Sequence, residues 1–409
     1  MNVLVISNVW VEPDSSAAGS RMLQLLDLFL SKNWTVTYVS TASESHYAVD
    51  LQEMGITTGT VQMNDPSFDV FAKELMPDIV LFDRFMVEEQ FGWRIAKQCP
   101  QALRILDTED LHCLRKARHQ AIKEEREMTT IDLMSDVAKR EIASIYRCDL
   151  TLMISEYEME LLQNVFGVPK DVLYYVPFLL SPLLEDFTSF DARAHFISIG
   201  NFLHAPNWDA TLLLKHTIWP EIRKSIPDAQ LHVYGAYPSE KVLQLHNPKD
   251  GFYIKGRAEN AKKVISKAKV LLAPLRFGAG LKGKFIDAMQ CGTPSVTTAI
   301  GAEAMQGEYR WGGTIEDDVY AFAKAATTLY TYKNVWKVAQ DHGRILINNR
   351  FQKLDFEEDF YDTITHYKKT LVERRLKNFT GQMLQHHTMQ STKFMSKWIT
   401  EKNKSQEST

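Results

Sequence analysis

Short apolar runs alternate with longer amphipathic segments in the first half of the chain. Residues 3–7 are apolar and β-branched, and a loop rich in Pro, Asp, Ser and Gly follows. The Leu-rich stretch 21–30 then precedes a second apolar run at 36–40. This order predicts a strand, a helix and a second strand. Four further strands are predicted at 78–82, 103–106, 150–154 and 173–176.

Amphipathic stretches separate these strands. One lies at 88–97, and the longer stretch 115–146 has apolar residues at helical spacing among charges of both signs, which predicts one or two surface helices. Strands that alternate with helices are typical of a parallel, doubly wound sheet.

The same alternation starts again after a segment with Pro177, Pro182 and several acids, which is typical of a linker. We place the domain boundary near residue 185. The second series predicts strands at 195–200, 230–234, 270–274 and 295–299, with helices at 208–225, 260–268 and 281–291. Two Rossmann-like doubly wound domains, 1–185 and 186–350, are therefore expected to face each other across a cleft. The length of 409 residues fits this division, because it exceeds what one core usually covers.

The C-terminal segment has two parts. Apolar residues at 356, 360, 364 and 367 form one stripe of an amphipathic helix, which we expect within 351–370. Residues 371–409 form a basic polar tail that we expect to fray beyond about residue 390. A solvated tail is favoured over a weak contact with acidic lipid headgroups.

Composition excludes several classes of protein. A formal net charge of -4 gives no basic field of the kind that duplex nucleic acid requires, so no nucleic acid partner is expected. Four scattered cysteines indicate neither a disulfide framework nor a zinc site. The apolar run at the N-terminus is too short for a signal sequence, and no run of about 18 apolar residues occurs. We expect a soluble cytoplasmic protein.

Residues 272–294 carry the most specific chemistry. A buried strand ends at Pro274, a glycine-rich loop follows, and a helix opens near Leu281. Helix N-termini at the carboxyl ends of strands attract anions. Lys282 and Lys284 lie in the first turn, where the helix dipole disfavours cations, so a bound anion such as a diphosphate is predicted. The alternative to an anion site is a surface ion pair between Lys284 and Asp287, which have i,i+3 spacing. On a helical wheel, however, Asp287 lies on the face that would point to the cleft.

The run from Arg276 to Pro294 resembles the G-A-G-x-K-x-K-x-x-E-A-M-x-x-G-x-P signature of glycosyltransferase family 4 and its relatives. Residues 197–207 resemble the first strand and loop of that family's nucleotide-sugar domain. The resemblance covers about residues 195–305, and the first half agrees only in general layout.

This resemblance implies the GT-B architecture and a retaining transfer from a UDP- or GDP-sugar to an acceptor hydroxyl on a glycan, a lipid-linked molecule or a small molecule. It also implies that the helix within 351–370 returns to the first domain and packs on it, with a helix that caps the second domain as the alternative. It implies neither a metal nor a cofactor, and the sequence has no Asp-x-Asp motif. Asp287 corresponds to the family's ribose-binding acid, and Ala279 replaces the other acid of the pair. Sugar recognition then depends on the loop backbone and on Lys282 or Lys284. The donor-binding residues implied in the second domain are Asn201, His204, Asn207, Arg276, Gly278, Ala279, Gly280, Leu281 and Asp287.

In the first domain the resemblance implies two more groups. Gly19 and Arg21 would approach the donor, although an ordinary strand-to-helix connection is the alternative. Glu109, Asp110 and His112 follow a predicted strand at the place where the family contacts the donor sugar. With Lys282 and Lys284, these three residues are the candidate catalytic residues. Which of residues 109–112 makes this contact stays open, as does a buried or capping role.

Two other functions remain compatible with this sequence. A sugar-nucleotide epimerase shares the expected fold, and a catalytically silent sugar-nucleotide-binding protein would account for Ala279. The residues Lys282, Lys284 and Asp287 favour a transferase over the silent protein.

Overall fold

The computed structural model describes residues 1–43, 45–183 and 187–407, which form two parallel sheets with helices on both faces. The first sheet has seven strands in the order β3-β2-β1-β4-β5-β6-β7 within the described residues. Its strands are β1 (Asn2–Ser7), β2 (Thr35–Ser40), β3 (Thr57–Thr60), β4 (Ile79–Asp83), β5 (Leu103–Asp107), β6 (Leu150–Met153) and β7 (Leu173–Tyr175). The helices of this half are α1 (Ala17–Ser31), α2 (Ser67–Leu75), α3 (Phe85–Gln98), α4 (His112–Lys123), α5 (Asp136–Arg147) and α6 (Glu156–Phe166).

The second sheet has six strands in the order β10-β9-β8-β11-β12-β13 within the described residues. Its strands are β8 (Ala194–Ile199), β9 (Leu231–Tyr234), β10 (Phe252–Gly256), β11 (Ala268–Ala273), β12 (Ser295–Thr297) and β13 (Gly313–Ile315). Its helices are α7 (Ala205–Leu213), α8 (Trp219–Ser225), α9 (Glu240–Leu243), α10 (Ala261–Ile265), α11 (Gly283–Gln290), α12 (Ala299–Ala302), α13 (Val319–Thr331) and α14 (Lys333–Arg350). A π-helical turn, Leu214–Ile218, joins α7 to α8.

Alternation along the central strands supplies a core on each face of each sheet. In β1, Leu4 and Ile6 enter one hydrophobic core while Val3 and Val5 enter the other. Because successive side chains of a strand point to opposite faces, a fully apolar run is what a strand covered on both sides requires. The expected doubly wound fold of two domains is confirmed.

The strands that sequence patterns missed are β3, β10 and β13, and all three lie at the edges of their sheets. Edge strands are covered on fewer sides, so their sequences carry a weaker apolar signal. The stretch 115–146 forms two helices, α4 and α5, separated by a 3₁₀ turn at Thr130–Leu133. The boundary expected at 185–186 lies outside the described residues.

After α14 the chain crosses back to the first domain. The backbone N–H of Leu180 donates to the Phe351 carbonyl at 2.7 Å, and α15 (Lys353–Lys369) follows. Its Phe360 is fully buried with its ring centroid 6.0 Å from that of Phe29 in α1. The Tyr361 hydroxyl donates to the Leu28 carbonyl at 2.7 Å. The apolar stripe of α15 therefore lies against α1 and belongs to the core of the first domain.

The expected polar tail is helical instead, as α16 (Leu371–Lys377) and α17 (Phe379–Glu407). Helix α17 packs on α3 and α5. The Arg94 guanidinium donates to the Ser396 hydroxyl at 3.1 Å, and the Thr400 hydroxyl donates to the Asn64 carbonyl at 2.5 Å. Because these contacts are hydrogen bonds of polar side chains, hydrophobic periodicity did not predict this helix. No helix in the described ranges has both the length and the apolar character to cross a bilayer.

Candidate functional site

A cavity of about 650 Å³ lies between the two domains. Asn8 and Val9, which follow β1, line one wall, and Gly200 and Asn201, which follow β8, line the opposite wall. The cavity therefore lies at the carboxyl ends of strands from both sheets, where open α/β sheets bind ligands.

Most of the site residues predicted from the sequence line this cavity. Those in its wall are Glu109, Asp110, His112, Asn201, His204, Asn207, Gly278, Ala279, Gly280, Leu281, Lys282, Lys284 and Asp287.

The two lysines lie at the N-terminal end of α11, and neither forms an ion pair with a carboxylate of the described residues. The ammonium group of Lys282 donates to the Gly280 carbonyl at 2.9 Å, and that of Lys284 donates to the side-chain oxygen of Asn207 at 2.7 Å. Among the ion pairs of the described residues neither lysine takes part, so the surface pair between Lys284 and Asp287 is not formed there. Burial lowers the pKa of each lysine to about 8. Two such ammonium groups favour an anionic ligand.

Asp287 lies one turn further along α11 and also lines the cavity. Burial raises its pKa to about 6, and the charge of nearby Lys262 opposes this shift. A carboxylate in this position has acceptor capacity for two hydroxyl groups of a ligand. Within the described ranges, no group of three or more His, Cys, Asp or Glu side chains is arranged to hold a metal ion.

The two acids that follow β5, Glu109 and Asp110, have pKa values shifted in opposite directions. Glu109 has a left-handed backbone (φ 59°), and burial together with Asp107 raises the pKa of its carboxyl well above the ordinary value. Asp110 is also buried, but Arg115, which donates to it at 2.6 and 3.2 Å, holds its pKa below the usual range. Burial thus favours the neutral form of the Glu109 carboxyl, whereas Arg115 favours the ionised form of Asp110.

His112 begins α4 with its Nε2 atom 3.4 Å from Asp110 Oδ1. Burial lowers the pKa of His112 to about 4, so the ring is neutral at physiological pH. The carboxylate of Glu141 in α5 accepts the backbone N–H groups of His112 and Cys113, both at 2.9 Å. Glu141 therefore caps α4 and leaves the His112 ring available to the cavity, a role the sequence pattern did not indicate.

Three residues to which the sequence patterns assigned no role hold the glycine-rich loop of the second domain against the first domain. We call Arg118, Glu158 and Glu303 the loop clamp. Arg118 donates to the Gly278 carbonyl at 2.8 Å and to both carboxylate oxygens of Glu303 at 2.8 and 2.6 Å. Glu158 accepts the Gly280 N–H at 2.7 Å and the Leu111 N–H at 3.3 Å. The loop clamp thus joins the two domains beside the cavity.

The sequence around Glu158 conceals this role. Ser155 and Glu158 have the spacing of a capping box, in which the glutamate would return to its own helix N-terminus. Ser155 does accept the Glu158 N–H, at 3.4 Å, but the Glu158 carboxylate turns to the second domain. The fit there is close, because Gly280 is left-handed (φ 62°) and a Cβ atom on it would lie 3.0 Å from Asp110 Cβ.

Three predicted donor residues do not line the cavity. Arg21 is 1% exposed and donates to Asp107 at 3.1 Å and to the Val176 and Pro177 carbonyls, so it braces the first domain. Gly19 packs on the backbone of the preceding loop, where a Cβ would lie 2.4 Å from the Glu12 carbonyl oxygen. Arg276 pairs with Asp209 on the surface, with its Nε atom donating at 2.9 Å.

Residues 193–332 match the family model described as glycosyl transferases group 1. A search of curated proteins gave no significant match. A solved structure of an S. aureus TarM variant in complex with fondaparinux, α-GlcNAc-glycerol and UDP has a TM-score of 0.68 at 10% identity, over 89% of this chain and 99% of that one. Sucrose-phosphate synthase from Thermosynechococcus elongatus has a TM-score of 0.65 at 16% identity, over 91% of this chain and 100% of that one.

The chain has the GT-B fold. Anabaena HepE in complex with UDP and glucose is also similar, with a TM-score of 0.68 at 10% identity, over 90% of this chain and 100% of that one. The matched family segment, residues 193–332, covers the six strands of the second sheet.

Arg21 and Arg276, the two predicted donor-binding arginines that do not line the cavity, supply a matched pair of variants. Arg21→Ala leaves the buried charge of Asp107 uncompensated and should lower the free energy of unfolding by about 3–5 kcal/mol. Arg276→Ala removes a surface pair and should change it by less than about 1 kcal/mol. Urea unfolding followed by circular dichroism measures both. An Arg21→Ala protein of unchanged stability that no longer binds nucleotide would instead restore Arg21 to the donor site.

Proposed function

We propose that this protein is a retaining glycosyltransferase of family 4 that moves a sugar from a nucleoside diphosphate sugar to an acceptor hydroxyl. The observation that carries the proposal is the pair of lysines, Lys282 and Lys284, that line the interdomain cavity at the N-terminus of α11 without a carboxylate partner among the described residues. The family match of residues 193–332 supports it.

The donor diphosphate would bind at this helix N-terminus. Phosphate oxygens accept hydrogen bonds from backbone N–H groups and from ammonium groups. Both kinds of hydrogen bond are stronger in a cavity that excludes water. Asp287 would accept the ribose hydroxyls of the nucleotide. UDP in the TarM and HepE complexes supports a uridine nucleotide, with a guanosine nucleotide as the other candidate.

In the proposed reaction the bond between the sugar C1 and the diphosphate oxygen breaks, and the acceptor oxygen forms a new bond to C1 on the same face. The departing phosphate oxygen takes the acceptor's proton. Negative charge grows on the diphosphate as the bond breaks, and Lys282, Lys284 and the α11 N-terminus stabilise it. This assignment uses neither a metal nor a cofactor.

The first domain would orient the sugar. Burial favours the neutral form of Glu109, which would donate a hydrogen bond, and ionised Asp110 would accept one. The neutral ring of His112 has one donor and one acceptor nitrogen, so the three residues would offer complementary partners to sugar hydroxyls. The acceptor would enter along the wall formed by Asn8 and Met86.

A catalytically silent nucleotide-sugar-binding protein is the second candidate. It is favoured by Ala279, which lies in the cavity wall where the family has an acid. Such a protein would bind the donor without consuming it, so turnover separates the two candidates.

Nucleotide binding tests the role of the lysines. UDP or GDP should bind in the presence of EDTA, and Lys284→Met should weaken that binding by about 1.5–3 kcal/mol, because a hydrogen bond from a charged group is lost. Titration calorimetry measures the affinities. Lys267→Met is the matched control, because Lys267 is exposed and precedes β11 at the opposite end of the strand. Equal affinities for the Lys284 and Lys267 variants, or no binding of either nucleotide, would contradict the assignment.

The stereochemistry of the released sugar tests retention. Incubated with α-linked UDP- and GDP-hexoses, a retaining enzyme should slowly hydrolyse its own donor and release the α-anomer first. Proton NMR of the anomeric signal at early times measures this. Release of the β-anomer first would show inversion, and binding without any release or transfer would support the silent protein.

A further inference from the structure

The C-terminal half of α17 exposes three large apolar side chains within five residues. Phe394, Met395 and Trp398 are 61%, 59% and 60% exposed. The opposite side of the helix is fixed to the first domain through Ser396 and Thr400. Single exposed apolar residues are common, but a cluster on an anchored helix indicates an interaction surface.

Lysines flank these side chains. The ammonium group of Lys393 lies 5.7 Å from the ring centroid of Phe394, and that of Lys402 lies 5.4 Å from the ring of Trp398. Lys397 lies between them and is exposed. Residues 393–404 contain four Lys against one Glu, although the whole chain has a net charge of -4. Positive charge is therefore concentrated in the segment that exposes the aromatic rings.

We propose that the C-terminal docking face, formed by Phe394, Met395, Trp398 and the lysines at 393, 397 and 402, binds an anionic lipid surface. Aromatic rings suit the depth of the headgroups, and lysine stems lie along apolar surface while their ammonium groups reach lipid phosphates. Each lysine near an anionic membrane strengthens binding about fivefold.

The positive charge of the C-terminal docking face favours an anionic lipid surface over a second copy of this chain or another protein. A symmetric contact between two copies brings the same patch of each chain together and would set lysine against lysine. Protein interfaces are generally depleted in lysine at their centres. An anionic bilayer, in contrast, complements both the rings and the ammonium groups.

Two double variants of the full chain test the proposal without altering the nucleotide cavity. Phe394→Ser with Trp398→Ser removes the aromatic contribution, and Lys397→Glu with Lys402→Glu reverses the charge. Cosedimentation with phosphatidylcholine vesicles, alone or mixed with phosphatidylglycerol, measures binding. The wild-type protein should bind the mixed vesicles and lose binding in high salt, and each double variant should bind them at least about tenfold more weakly.

Matched controls come from the second domain. Tyr320→Ser with Tyr332→Ser removes two rings that are 65% and 61% exposed, and Lys324→Glu with Lys337→Glu reverses two exposed charges. These controls should bind vesicles as the wild type does, and thermal unfolding should show that every variant is folded.

Three results would overturn the proposal: wild-type protein that binds neither vesicle, α17 variants that bind as tightly as the controls, or light scattering that shows a dimer which the aromatic variant dissociates. The last result would assign the face to a second copy. Vesicle binding is measured without donor or acceptor, so its outcome is independent of the proposed transferase activity.

Discussion

The hydrogen bonds between the loop clamp and the glycine-rich loop determine the shape of the cavity. Arg118 reaches the Gly278 carbonyl and Glu158 reaches the Gly280 N–H across the domain interface. Both bonds are buried, so breaking either one would leave the Gly278 carbonyl or the Gly280 N–H without its partner, at a cost of about 1–3 kcal/mol each. Because the cavity walls belong to different domains, their spacing depends on this contact.

The glycine-rich loop also connects the loop clamp to the cavity lysines. Lys282 donates to the Gly280 carbonyl, so the residue whose N–H is held by Glu158 also accepts from a cavity lysine. Burial disfavours the charged form of both cavity lysines, and an anion beside them would reverse that effect. A diphosphate ligand would therefore act directly on the segment that joins the domains.

Sequence patterns predicted the features that depend on neighbouring residues. The strand, loop and helix around Lys282, and the turn of Asp287 to the cleft, follow from local periodicity and the helix dipole. The partner of Arg21 is Asp107, 86 residues away, and no local pattern connects them. The role of Glu158 was hidden because its spacing from Ser155 also fits a capping box.

Helix α17 is another element whose packing on the first domain the sequence patterns did not predict. Its contacts with the first domain use Ser396 and Thr400, which are common in solvated segments, so composition indicated a tail. Five large apolar side chains of this helix are exposed instead, those of Phe379, Met383, Phe394, Met395 and Trp398. Periodicity shows which residues share a face of a helix, but not whether that face meets the protein or its surroundings.

A crystal structure of the protein with UDP or GDP tests the central claim most directly. The account predicts the diphosphate in the interdomain cavity, with its oxygens within hydrogen-bonding distance of the ammonium groups of Lys282 and Lys284 and of the N–H groups that begin α11, and the ribose beside Asp287. A nucleotide bound elsewhere, or bound in the cavity with its phosphates away from both lysines, would contradict it.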